Sequence, residues 1–362
     1  MLLISKFNSI SPIHKTECSP VITMAFKVTI IILNWNGWED TIECLESVYQ
    51  IEYPNYDVVV VDNGSKDQSV EKIKTYASGS LRVESNFLKY NSDNKPLHLI
   101  EYSQEELKFN DSIKKDLDKL PPEKKLILIK NNQNYGFAEG NNIAIRYALE
   151  KLKPDYILLL NNDTVVDRCF LDELIKIAES DPNIGILGPT IFDYKYPCCI
   201  QSAGLRMRWN KGDAISFVFE GDFSVSAQKV DAVLGCTLLA KSELLDKIGL
   251  LNKKYFAYFE EVEWCVRARR AFYEIVYVPK GKVWHKGGGT SNKIKGFALY
   301  QYTRNQFWFM KQYASCKQYR LFIAYFFGFK LFSFVGWALL HKNKTLLIYF
   351  LKGVKDGLLT SD

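Results

Sequence analysis

Four groups of polar residues in this chain are of types and spacings that could do chemistry. Asn161-Asn162-Asp163 follows the apolar run at 156–160, which puts a carboxylate and two amides at the end of a predicted strand. Such oxygen ligands can hold Mg²⁺ or Mn²⁺ against a diphosphate, although Asn-Asn-Asp is equally good turn chemistry. Asp62-Asn63 closes a second apolar run, and there the carboxylate could instead cap the helix that follows. Glu260, Glu261 and Glu263 crowd three acids into four residues at a predicted helix start, where negative charge is favoured by about 0.3–1 kcal/mol. Their neighbours Tyr255, Phe256, Tyr258, Phe259 and Trp264 are aromatic, and a carboxylate desolvated among rings has the raised pKa of a general base. His285 lies beside Lys286 and the glycines Gly287, Gly288 and Gly289, as a metal or phosphate contact or as a structural histidine.

The elements that must position these groups alternate. Residues 28–33 form a continuous β-branched run ending at Asn34, which reads as a parallel strand buried on both faces. Helical spacing follows over 38–49, then a strand over 58–61, a helix over about 68–76, a strand over 126–130, a loop over 131–136 with a helix to about 152, and a strand over 156–160. This pattern predicts an α/β fold with a doubly wound, mostly parallel sheet, whose ligands collect at the carboxyl ends of the strands. Three such ends carry polar clusters: Asn34/Asn36, Asp62/Asn63 and Asn161/Asp163. Residues 79–125 are polar, interrupt the rhythm and read as an insertion with one short helix. In the second half, 184–192, 230–240 and 275–278 read as strands, and the acids at 260–263 lead into a helix carrying Arg267, Arg269 and Arg270.

Length and composition bound the rest. The chain has 362 residues, 24% charged and 47% hydrophobic, which excludes a disordered tail protein, a collagen-like rod or a small disulfide-stapled domain. Its net charge of +6 is local: residues 311–362 hold eight Lys/Arg against two Asp, and the remainder is neutral. Eight cysteines form no CxxC or zinc-type cluster, so a reduced cytosolic protein with buried thiols is expected. Residues 1–26 lack a signal-peptide core and read as a disordered leader or, with Met24 just before the first strand, as the product of a misplaced start. Residues 300–313 predict an amphipathic helix bearing Arg304-Asn305. Residues 321–340 are long enough to span a bilayer, but Lys330 near their middle costs about 3 kcal/mol on insertion scales. A helix or hairpin lying on an anionic membrane surface is therefore expected, with a buried subdomain or homodimer interface as the alternative. The stretch lacks the dense basic face of a nucleic-acid binder.

Taken together, VTIIILNWNGWEDTIECLESV, VVVVDNGSKDQS, NYGFAEGNNIAI, YILLLNNDTVVD, FAYFEEVEWCVRARRAFYEIVYVP and VWHKGGGT resemble the family-2 glycosyltransferases, in particular their rhamnosyltransferase-like branch, over roughly 27–310. The resemblance implies a GT-A fold over 27–295 and inverting transfer of a sugar from a nucleotide-diphosphate donor. With the tail read above as a C-terminal helical, membrane-associating region over 296–362, the acceptor is expected to be a glycan or polyprenyl-linked glycan at the inner face of the cell membrane. The resemblance places Asn34, Asn36, Asp62, Asn63, Asn134, Gly136, Asn141, Asn161 and Asn162 around the nucleotide sugar. It places Asp163, His285 and Asn161 at a Mg²⁺ or Mn²⁺ ion, Glu261 as base with Glu260 and Glu263 as its rivals, and Trp264, Arg267, Lys286 and Arg304 toward acceptor or phosphate. Two departures from the family pattern stand out. Asn161 replaces the first Asp of the metal motif, which implies weaker divalent binding, and Glu261 stands where Asp is commoner. They leave open a catalytically weak glycan-binding or scaffold subunit of a polysaccharide assembly. A nucleotidyltransferase shares the nucleotide-binding half and is disfavoured by the Glu-Glu and Trp-His-Lys segments.

Overall fold

The β-branched run Val28–Asn34 (β1) has nowhere to go but a sheet interior, and it takes the central position. The computed structural model describes residues 25–108, 120–217, 226–287 and 295–359. In chain order β1 is followed by α1 (Trp38–Val48), β2 (Tyr56–Asp62), α2 (Ser69–Ala77), β3 (His98–Ser103), β4 (Lys125–Lys130), α3 (Gly136–Tyr147), β5 (Tyr156–Asn161), β6 (Thr164–Val166), α4 (Phe170–Ala178) and β7 (Ile184–Asp193). Next come the short strands β8 (Ile200–Ser202), β9 (Leu205–Arg208), β10 (Asp213–Ser216) and β11 (Gln228–Lys229), then β12 (Thr237–Lys241), α5 (Ser242–Ile248), α6 (Glu260–Arg270) and β13 (Glu274–His285). Four helices end the chain: α7 (Phe297–Tyr313), α8 (Cys316–Tyr325), α9 (Leu331–Leu340) and α10 (Lys344–Leu359).

The main sheet runs β11-β13-β7-β12-β5-β1-β2-β4-β3, with β6 on β13 and β8 on β7. The pairs β1–β2, β1–β5, β2–β4 and β3–β4 are parallel, while β12 enters antiparallel between β5 and β7. Alternation along β1 sorts the core into two layers. Ile31 joins the layer under α3 and α6, whereas Ile30 and Ile32 face α1, α2 and α4. Register decides which strand ends meet: Asn34 lies opposite Asp62, and Leu33 opposite Asn161.

Several expectations need correction. The segment 79–125 contributes β3, an edge strand of the main sheet, along with 3₁₀ turns at Glu106–Lys108 and Pro122–Lys124. Edge strands are short and polar, so no apolar run announces them. The segment is anchored by Lys95, whose ammonium meets the fully buried Glu46 of α1 at 3.2 Å and lies 4.4 Å from the Tyr76 ring centroid. The strand read at 230–240 begins only at Thr237, and that at 275–278 extends to His285. Cys44, Cys236 and Cys265 are buried thiols as expected, but Cys198, Cys199 and Cys316 are exposed and Cys169 is disulfide-bonded. The leader, apart from its last two residues, and Gly288 and Gly289 lie outside the described residues.

Candidate active site

The carboxyl ends of β1, β2 and β5 open onto a cavity of about 450 Å³, closed on its other side by the loop before α6. One wall is an amide lattice. Asn63 donates through Nδ2 to Asn134 Oδ1 and to the Gly136 carbonyl, both at 3.0 Å, and accepts from Asn131 at 3.0 Å. Asn134 in turn accepts from the Gly136 amide at 2.8 Å. Gly136 has φ +78°, and a Cβ there would lie 2.7 Å from the Phe256 ring, so this position requires glycine both for conformation and for close approach.

The second wall is built by β6 and β13. Their antiparallel register sets Thr164 opposite His285, which brings Asp163 to the histidine although 122 positions separate them. Asp163 Oδ1 and His285 Nε2 are 3.3 Å apart. His285 Nδ1 lies 2.8 Å from Gln201 Oε1 on β8; an amide oxygen accepts only, so Nδ1 carries the proton. His285 Nε2 therefore faces a carboxylate oxygen, and an imidazole nitrogen and a carboxylate oxygen at this spacing can together take a cation. A hard oxygen with an imidazole nitrogen suits Mn²⁺ or Mg²⁺ completed by phosphate oxygens. Among the described residues no third His, Cys, Asp or Glu joins them.

The third wall is the start of α6. Glu260 and Glu261 both line the cavity, and each has an Oε2 atom that is buried and without a hydrogen-bond partner. Burial pushes both carboxyls above the ordinary range, and for Glu260 the charge of Glu261 adds to the rise. They are aimed by an unusual entry: Tyr258 and Phe259 both adopt left-handed backbone, with φ 70° and 76°. Asn305 of α7 holds that entry, donating to the carbonyls of Ala257 at 2.9 Å and Tyr258 at 2.7 Å.

Nine of the expected residues therefore meet at the cavity: Asn63, Asn134, Gly136, Asn161, Asn162, Asp163, Glu260, Glu261 and His285. The other nine are placed elsewhere. Asn34 donates to Asp62 Oδ1 at 2.8 Å, and Asp62 Oδ2 accepts from the Ser65 amide, so this pair ties β1 to β2 beneath the cavity. Asn36 receives the amides of Lys66 and Asp67, and Asn141 donates to the Phe137 carbonyl within its own helix. Glu263 is two positions, about 200° of helix, beyond Glu261. It is buried, and it binds Arg267 at 2.8–2.9 Å and the Tyr313 hydroxyl. Arg267 also donates to the carbonyls of Ile248 and Leu250, and Trp264 to that of Gly249, so both fasten the loop after α5 and neither reaches the cavity. Lys286 meets Asp40 and Glu43 of α1, each at 2.6 Å. Arg304 lies over the Trp308 ring, 4.2 Å from its centroid.

Residues to which the sequence assigned no role of their own complete the site. Trp35, Phe256, Tyr258 and Phe297 supply aromatic lining, and Gln201 orients the histidine. The rings at 255–259 were visible as the setting of the acids; Gln201 carries no local signal.

Comparison with known proteins follows from this geometry. Residues 29–94 match the model of glycosyl transferase family 2, and residues 110–307, more than half of the chain, that of glycosyltransferase-like family 2. The chain is 30% identical over 142 residues (39% of this chain) to the low-salt glycan biosynthesis hexosyltransferase of Haloferax volcanii. It is 28% identical over 187 residues (50% of this chain) to the dTDP-rhamnosyl transferase RfbF of Shigella flexneri. It spans 46% and 59% of the lengths of these two relatives. A mannosyltransferase from Pyrobaculum calidifontis, solved with GDP-Man and Mn²⁺, shares the fold at TM-score 0.54 and 14% identity, over 96% of this chain and 91% of that one. The fold is GT-A, and the chain belongs to the family-2 glycosyltransferases.

Proposed function

We propose that this protein transfers a sugar from a nucleotide-diphosphate donor to a hydroxyl of a glycan or lipid-linked glycan, with inversion at the anomeric carbon. One observation carries this reading: a metal-competent pair, Asp163 with His285, and a pair of desolvated carboxyls, Glu260 with Glu261, face the same cavity. Asp163 and His285, with Asn161 beside them, would hold Mg²⁺ or Mn²⁺. A cation there, when bound, supplies positive charge against the leaving diphosphate. The Asn63–Asn134–Gly136 wall would receive the nucleoside end, since its amides and carbonyls are already locked by one another and present a rigid surface. Glu261 takes the proton of the acceptor hydroxyl as that oxygen bonds to the anomeric carbon, and the electron pair of the breaking C–O bond leaves with the nucleoside diphosphate. The aromatic lining excludes water from the reacting atoms. Relatives named as hexosyl- and rhamnosyltransferases support the sugar class, and the C-terminal region would keep the enzyme at the inner membrane face.

The test is a panel of nucleotide sugars followed by thermal shift and by donor turnover, with and without Mn²⁺ or Mg²⁺. At least one donor should raise the melting temperature more with cation than without, and Asp163→Asn should abolish the cation's contribution. No stabilisation by any donor, together with no turnover, overturns the proposal.

A further inference from the structure

The C-terminal hairpin presents an apolar face that no described residue covers. Residues Cys316–Leu340 form one helical stretch of 25 residues, apolar and long enough to cross a membrane, and only 11% of its most apolar window is buried. Its outward stripe follows helical spacing through Phe329, Phe332, Gly336 and Leu340; Phe329 is 62% exposed and Leu340 82%. On α10, Ile348 and Leu351 extend the same exposure. Gly328 and Gly336 have open space where a side chain would stand.

The inward stripe is committed. Phe322 and Phe326 are fully buried, with ring centroids 5.2 and 4.6 Å from that of Phe307 on α7. Lys330, the one charge within residues 321–340, turns inward as well: its Nζ donates to Gln306 Oε1 at 2.7 Å and lies over the Phe326 ring. The charge that weighed against a membrane span is thus turned away from the exposed face. The helix cannot be surrounded by lipid without breaking these contacts.

We propose that this face docks flat on a bilayer with anionic headgroups, α8 and α9 lying in the membrane plane and α10 beside them. Charge selects the occupant. Lys317, Arg320, Lys344, Lys352 and Lys355 on these helices and Lys342 in the turn between α9 and α10 are all exposed, within a stretch of eight cations and two acids. Anionic lipid attracts such a surface by about 1 kcal/mol per basic residue, whereas a second copy would set like charge against like. The docked face adjoins the cavity: Phe297 lines it at the start of α7, and Gly296 packs under the Tyr349 ring of α10. An acceptor held at the bilayer surface would reach the site along this edge. The inference rests on the proposed membrane location and sharpens it.

The full chain is floated with vesicles of phosphatidylcholine alone and of equal parts phosphatidylcholine and phosphatidylglycerol. Flotation is expected with the anionic vesicles, and Phe329→Ser with Phe332→Ser should reduce the bound fraction at least about tenfold. In this double variant cation-dependent turnover of the soluble donor should match the parent. A Thr345→Cys thiol at the hairpin turn, read by peptide mass spectrometry, should react with an impermeant maleimide added outside the vesicles. Docking is overturned if the parent fails to float, if Thr345→Cys is protected until detergent is added, or if the double variant only abolishes a concentration-dependent dimer. Flotation without donor turnover would leave docking intact and sink the catalytic reading instead.

Discussion

Glu261 sits in the first turn of α6, where the helix N-terminus lowers a carboxyl pKa, yet burial wins and the net shift is upward. Glu260 rises for the same reason, with the charge of Glu261 adding to the rise, so the two carboxyls lose their protons as an interacting pair. Glu261→Gln should fold and lose about 10²–10⁴-fold in transfer, the usual contribution of a positioned general base. A variant that keeps more than about a tenth of the rate removes Glu261 from that role. The same substitution has a signed effect on stability. A carboxyl whose folded pKa exceeds its ordinary 4.5 makes the native state bind more protons than the unfolded one, so stability is present below 4.5 and declines as pH rises through the raised value. Glu261→Gln should therefore melt higher than the parent at neutral pH and alike below pH 4.5. Identical melting curves across that window would contradict the burial assigned to this carboxyl.

At the scale of elements, the decisive piece is the turn between Tyr255 and α6. Two successive bulky residues with positive φ cost about 1–3 kcal/mol each and persist only where neighbours impose them. Asn305 imposes them from α7 by occupying two carbonyls at once, while Tyr313 and Arg267 hold Glu263 further along α6. Asn305→Ala should let this entry relax. Displacing a catalytic group by about 1 Å can cost about 10²-fold, so kcat should fall while donor binding, which we propose uses the opposite wall, is kept. The acid limb of the pH–rate profile should also move toward the ordinary carboxylate range as Glu261 gains water. An unchanged kcat and unchanged limb would show that Asn305 only supports packing.

For the whole molecule, three bodies of sequence meet at one sheet. The parallel half supplies the amide wall, the half beyond β5 supplies Asp163, His285, Glu260 and Glu261, and the segment after α2 closes the far edge through β3. That segment depends on the buried Glu46–Lys95 pair, with Glu46 also accepting from the Tyr76 hydroxyl at 2.8 Å. Removing one partner of a buried pair strands the other, at about 3–5 kcal/mol. Glu46→Ala should lower the denaturant midpoint accordingly, and Glu46→Met with Lys95→Met should recover much of the loss. If the double substitution is no better than the single one, the charge of Lys95 is not what Glu46 serves. On the opposite side, Gly353 and Gly357 let α10 approach Thr303 and Phe307 of α7, so the helix that holds the entry to α6 is also the one on which the apolar C-terminal hairpin rests.

By itself the sequence determined the parallel half of the sheet, the polar clusters at its strand ends, the desolvated acids and the apolar tail. These are properties of short stretches, namely β-branched runs, residues at their ends and rings around carboxylates, and they can be read without knowing what packs against them. Only the tertiary structure decided which polar residues face the cavity. Asp62 and Asn34 turned to each other because their strands are paired in register, Glu263 was rotated away by the helix, and Lys286 was captured by Asp40 and Glu43. Gln201, Asn305 and the inward turn of Lys330 depend on contacts between elements distant in the chain. The physical reason is common to all of them: spacing sets where a side chain emerges, but its partner is chosen by packing.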